Sequence, residues 1–195
     1  AVLWLIGLNI LAFFAEQAFG QRWILSRFAM IPAMVRTGYA FWTFLTYMFL
    51  HAGFSHIFFN MFALFIFGSQ VERWMGSREF VLFYLLTGAL AGLFSFAVYY
   101  LTGNYFVILL GASGAVFAVQ LAYAVLFPDA IIYVWGILPL RAPVLVLGFT
   151  ALELFFSVTG LAGQVAHLTH LAGFGFAWLY FLLRLGINPL HSWRR

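Results

Sequence analysis

The sequence predicts an all-α polytopic membrane protein, a bundle of six transmembrane helices forming one domain over residues 1–195. Three observations predict it. Of the 195 residues, 66% are hydrophobic and only 7% charged, with a mean hydropathy of +1.05; soluble domains carry about 25% charged residues, so this surface is not built for water. Six apolar stretches each approach the roughly 20 residues needed to cross about 30 Å of hydrocarbon. These runs, such as Phe80 to Leu101, are apolar on every face and lack the alternation of a barrel strand, which leaves the helix as the way to satisfy the backbone in lipid.

The elements follow in order. The first span covers about Ala1 to Phe19. The long connection from Gly20 to about Leu50 mixes Arg22, Arg27 and Arg36 with aromatics, so it reads as an interfacial segment with Trp23, Tyr39 and Trp42 at headgroup level. The second span, about Phe54 to Val71, stops at Glu72-Arg73-Trp74. The third runs from about Glu79 to Leu101 and ends in Thr102-Gly103-Asn104. The fourth, about Gly111 to Phe127, ends at Pro128-Asp129. A connection with Pro139, Arg141 and Pro143 leads to the fifth, about Ala142 to Val158, and the sixth covers about Gln164 to Leu185.

Charge and composition exclude several classes. There is no cysteine, hence no disulfide and no thiolate metal site. All nine cationic side chains are arginine, giving a net charge of +4. No run of basic residues occurs, so the lipid bilayer is the implied partner and a nucleic acid is not. Six spans place both termini on one side, with Arg73, Arg78, Arg141, Arg184, Arg194 and Arg195; the positive-inside rule then makes the termini cytoplasmic. The chain starts Ala-Val-Leu-Trp without an initiator methionine, as a trimmed chain would.

Polar groups inside spans are costly and therefore mark candidate sites. His56 and Asn60 lie near the start of the second span, Ser113 at the start of the fourth, and His167 and His170 near the start of the sixth. Even-numbered spans run in the same direction, so these clusters share one depth just below the outer surface. A serine hydroxyl needs a base, and histidine has the suitable pKa. An oxyanion needs fixed donors, which the Asn60 amide, the His56 imidazole and the Ser113 backbone N–H can supply. His56 and Asn60 are one turn apart on one face, and the free N–H groups of a helix start lie at Ser113. Gly111 and Gly114 allow close approach of a backbone, and Gly173, one turn after His170, lets the sixth span approach the fourth.

Ser113 is accordingly read as nucleophile and His170 as general base and acid. His167 is read as an interface or supporting histidine, His51 as a loop or structural histidine and His191 as solvated. Asp129 and Glu72 fall at the far ends of their spans, so no carboxylate is expected near enough to complete a triad. Glu153, placed mid-way along the fifth span, is read as a carboxyl facing protein rather than a gating or proton-linked group. Gly88 and Gly92 form a GxxxG expected to pack helices within the bundle.

These motifs, His56-x-x-x-Asn60, Gly111-x-Ser113-Gly114 and His170-x-x-Gly173, together with Glu72-Arg73 and Gly76-Ser77, resemble the rhomboid protease family across the whole chain. The resemblance implies a six-helix core without a cofactor or metal. It implies hydrolysis of peptide bonds in or near the transmembrane segments of single-span membrane proteins. It further implies a gate made by the fifth span and the cap before the sixth. Trp42-Thr43 departs from the Trp-Arg pair of many members, and the lack of a seventh span fits a six-span bacterial or archaeal form of the prokaryotic cell membrane. The alternatives are a catalytically weak client-binding relative, a small transporter or channel, and an acyl hydrolase of another class.

Overall fold

A computed structural model describes residues 1–38, 40–134, 136–159 and 164–193, the side chains of 164–166 excepted. Tyr39, Arg194, Arg195 and the cap residues 160–163 lie outside the described residues. Four helices are long and apolar enough to cross a membrane: Val2–Phe19, Phe54–Met75, Ser77–Leu101 and Ala142–Thr159. Two shorter apolar helices, Ser113–Leu126 and Gln164–Leu183, complete the six predicted spans. The second span runs a turn past its predicted stop, to Gly76 at φ 80°. It contains a π-helical turn at Leu64–Gly68, where a Cβ on Gly68 would come within 3.2 Å of Val2 on the first span.

The fourth span is the axis of the fold. It is buried on nearly every face, from Gly114 to Val125. Its 14 residues rise only about 21 Å, short of the roughly 30 Å of hydrocarbon. The missing length is taken up by the extended stretch before it, anchored by the Met30–Leu109 bridge and by the Gly111 N–H, which donates to the Tyr47 carbonyl at 2.9 Å. The start of the helix, and Ser113 with it, is therefore recessed from the end of the bundle.

Small residues set the spacing of the helices. A Cβ on Gly114 would lie 3.1 Å from Thr169 Cγ2 on the sixth span and 3.2 Å from Ala91 Cβ on the third. Ser95 and Thr169 meet through their hydroxyl oxygens at 2.7 Å. The GxxxG of the third span packs within the bundle, as expected: Cβ atoms on Gly88 and Gly92 would fall 2.2 Å from Met48 Cε and 2.6 Å from Tyr47 Cε1. The Tyr47 hydroxyl donates to the Gly88 carbonyl at 2.7 Å, which seats the first connection on the third span.

That connection folds as short helices at Gln21–Phe28, Pro32–Val35 and Thr43–Thr46, followed by a 3-10 turn at Tyr47–Phe49. Trp42 donates through Nε1 to the Arg27 carbonyl at 2.8 Å, so the tryptophan itself ties the loop to the helix before it. At the opposite end of the bundle, Glu72 accepts from the Val2 N–H at 2.8 Å and the Ser77 hydroxyl at 2.5 Å. Glu79 accepts from Arg184 at 2.6 and 2.9 Å and from the Tyr180 hydroxyl at 2.5 Å, joining the third span to the sixth.

Two elements add to the all-helical expectation. The connection between the fourth and fifth spans forms an antiparallel hairpin, β1 (Ile131–Val134) with β2 (Leu138–Arg141). Ile131, Ile132 and Val134 are β-branched, and Pro139 is tolerated because a two-stranded ribbon leaves one side of each strand unpaired. A short helix, Pro189–Ser192, follows the sixth span, and Trp193 Nε1 beyond it donates to the Ala124 carbonyl at 3.0 Å.

Candidate active site

Ser113 begins the fourth span directly after Gly111 and Ala112. Gly111 holds φ 120°, a conformation that a side chain disfavours. Among the described residues no side chain caps this helix start, which leaves the first-turn N–H groups, that of Ser113 among them, unclaimed by a cap. From the sixth span His170 reaches across to place Nε2 2.7 Å from Ser113 Oγ. The approach of the two helices depends on glycine on both sides, because a Cβ on Gly173 would lie 2.0 Å from the Gly114 carbonyl oxygen.

The imidazole plane of His170 is fixed by Phe117, whose ring lies parallel at 4.2 Å and 9°. Phe117 sits one turn after Ser113 on the same face, a spacing the sequence carries without any motif to mark it. A face-on aromatic limits ring rotation and sets the direction of Nε2.

His56 borders the same spot from the second span. A Cβ on Gly111 would be 2.8 Å from His56 Cε1, 2.9 Å from His56 Nε2 and 3.6 Å from Ser113 Oγ, so the imidazole edge and the hydroxyl flank one glycine. His56 Nδ1 accepts weakly from the Ala52 N–H at 3.4 Å, which leaves Nε2 as the protonated, donating nitrogen on the Gly111 side. Asn60 is buried one turn further down, and its Nδ2 donates to the His56 carbonyl at 2.8 Å. It steadies the second span behind His56, and its amide has one N–H left over.

His167 and His170 both turn toward the fifth span, where they meet Glu153. His167 Nδ1 lies 2.5 Å from Glu153 Oε2, and His170 Nδ1 lies 3.0 Å from Glu153 Oε1. This corrects the expectation that no carboxylate stands near the serine–histidine pair. The fifth span runs upward toward the site. Glu153 lies about 16 Å along it from Ala142, so it reaches the depth of Ser113 rather than the middle of the bundle. It does face protein, as expected. His167 takes the supporting place, while Asp129 is remote from the site and pairs with Arg141 at 3.5 Å in exposed surroundings.

His51 is more involved than a loop histidine. It is fully buried and packs edge-on against His56 with ring centroids 5.0 Å apart. Its backbone N–H donates to Glu16 Oε1 at 3.1 Å. Glu16, in the last turn of the first span, is fully buried, and no motif in the sequence marks it. His191 is exposed, as expected.

The site thus holds a hydroxyl against an imidazole stacked on Phe117, with a second imidazole edge across Gly111 and an uncapped helix start beside them. Such a set can pass a proton from an attacking oxygen and stabilise a developing oxyanion. Comparison with known proteins agrees with the motifs. The chain is similar to a putative rhomboid protease of Bacillus subtilis, YdcA, at 34% identity over 93 residues, which cover 47% of this chain and 45% of that protein. It is 36% identical over 116 residues to the chloroplastic Rhomboid-like protein 11 of Arabidopsis thaliana, covering 60% of this chain and 38% of that one. With the rhomboid protease GlpG of Haemophilus influenzae it shares 32% identity over 88 residues, 45% of this chain and 43% of the relative. Each match spans less than half of the relative's length. Residues 39–186 match the family model of the Rhomboid domain, and with its apolar helices the chain is an integral, multi-pass membrane protein belonging to the rhomboid family.

Proposed function

We propose that this protein is an intramembrane serine endopeptidase that cuts single-span membrane proteins in or near their transmembrane segments. The observation that carries the reading is the 2.7 Å contact of His170 Nε2 with Ser113 Oγ at an uncapped, recessed helix start. Ser113 Oγ attacks the scissile carbonyl carbon while its proton passes to His170 Nε2. The carbonyl π-electrons move to oxygen, and that oxyanion accepts from the Ser113 N–H, His56 Nε2–H and the free N–H of Asn60. Collapse breaks the C–N bond, and His170 returns its proton to the departing amine. A water, deprotonated by His170, then attacks the ester and frees Ser113. No cofactor has a part in these steps.

The substrate reaches the site laterally. The fifth span supports a gate role because it is buried only near its start, at Ala142, Leu145 and Val146, while Leu152, Leu154, Phe155 and Val158 are exposed. The arginine distribution supports cytoplasmic termini in a prokaryotic cell membrane, with Arg73, Arg78, Arg141 and Arg184 at the end opposite Ser113.

The test is incubation of the purified protein in detergent with a single-span substrate, with the cut bond mapped by mass spectrometry. Cleavage within or beside the apolar segment by wild type, and none by Ser113→Ala, is the expected result. Binding of the substrate without any cleavage would replace this reading with that of a client-binding relative. Hydrolysis of acyl thioesters but not peptides would make it a different acyl hydrolase.

A further inference from the structure

We propose that Glu153 is a positioning residue for His170, so that the site works as a serine–histidine–glutamate triad rather than as an isolated pair. The inference rests on the serine-protease reading and adds a third group to it. For His170 Nε2 to take the Ser113 proton, the neutral ring must carry its own proton on Nδ1. That nitrogen is buried, and it has no well-aligned hydrogen bond in the resting state. The carboxylate oxygen of Glu153 lies 3.0 Å away, within bonding distance but off the ideal direction. Hydrogen bonds of catalytic groups are often poorly aligned before substrate binds and tighten afterwards.

Two further features support the assignment. Phe117 holds the imidazole face, so the remaining freedom of the ring is rotation within its own plane, the motion a contact at Nδ1 restrains. His167 binds the other carboxylate oxygen at 2.5 Å and is itself buried, which anchors Glu153 with Oε1 toward His170. The carboxylate fixes the productive tautomer. It also offers a negative partner when His170 becomes a buried imidazolium, a charge that is costly to leave alone.

The experiment compares wild type with Glu153→Gln and Glu153→Asp, reading kcat and KM for a single-span substrate and the rate at which a fluorophosphonate labels Ser113. The account expects kcat of Glu153→Gln to fall at least about 10-fold, a part of the 10²–10⁴ that a positioned base supplies, with KM within about twofold. Labelling slows in parallel, and Glu153→Asp recovers part of the rate. Unchanged kcat and labelling in Glu153→Gln would overturn the proposal, provided wild type cuts and Ser113→Ala does not; an inert wild type would instead sink the protease reading. Should Glu153→Gln fail to fold, proton NMR of the wild type decides. A low-field Nδ1 proton absent from His170→Ala supports the contact, and its absence from wild type refutes it. The ligand atoms of Glu153, His167 and His170 also lie within 4.8 Å of one another, a spacing a divalent cation could bridge. Loss of wild-type activity on chelation, with recovery on adding zinc, would reassign the cluster to a metal and overturn the positioning role.

Discussion

Gly173 rests on the carbonyl of Gly114, with room for hydrogen but not for a methyl group: a Cβ there would lie 2.0 Å from the oxygen. The obstacle is backbone, which cannot swing aside as a side chain can. Since Gly114 follows Ser113 and Gly173 lies one turn after His170, the width of this contact sets the distance between nucleophile and base.

Gly173→Ala is therefore expected to push the sixth span away from the fourth and lengthen the Ser113–His170 contact. A misplacement of about 1 Å costs on the order of 100-fold in rate. Overpacking of this kind also destabilises by about 1–3 kcal/mol. Fluorophosphonate labelling and thermal unfolding in detergent measure the two effects separately. Labelling at the wild-type rate would mean that the helices do not need this approach.

His56→Ala removes an oxyanion donor. Loss of one such donor lowers kcat by about 10²–10³-fold, and KM is expected to move little because the donor meets charge that develops after binding. Asn60→Ala is expected to be milder, since the described bond of its amide runs to the His56 carbonyl rather than to Ser113. Steady-state kinetics on the two variants gives the order, and a larger loss at Asn60 would reverse their roles.

Gly92→Ala tests packing away from the chemistry. Its new Cβ would fall 2.6 Å from the Tyr47 ring, so stability is expected to drop by about 1–3 kcal/mol while the oligomeric state stays as in wild type. Tyr47→Phe removes the hydroxyl that donates to the Gly88 carbonyl and costs about 1 kcal/mol. Unfolding curves check both. A change of oligomeric state in Gly92→Ala would show that the stripe also serves between copies.

Much of this arrangement was legible because membrane spans are read by length and the site by parity. The N-terminal ends of the second, fourth and sixth spans bring His56, Ser113 and His170 to one depth, and the structure places His56 and Ser113 about Gly111 with His170 on Ser113. The same parity, applied to the odd spans, brings their C-terminal portions to that depth too. Glu153 and Glu16 are the carboxylates that arrive this way; Glu153 reads from the sequence as a carboxyl facing protein but at the wrong depth, and Glu16 carries no motif that marks it. Phe117 was hidden for another reason: among 26 phenylalanines, one more on a helix face carries no signal until its parallel contact with His170 is seen. The β1–β2 hairpin leaves a weak signal because Pro139 and Pro143 break up a strand pattern that only the β-branched residues before them carry.

The most direct test of the account compares wild type, Ser113→Ala, His170→Ala and His167→Ala on one single-span substrate. The account predicts cleavage by wild type, none by Ser113→Ala or His170→Ala, and reduced but measurable cleavage by His167→Ala, whose ring supports Glu153. Cleavage that survives in His170→Ala and vanishes in His167→Ala would contradict the assignment of the base and the geometry on which the mechanism is built.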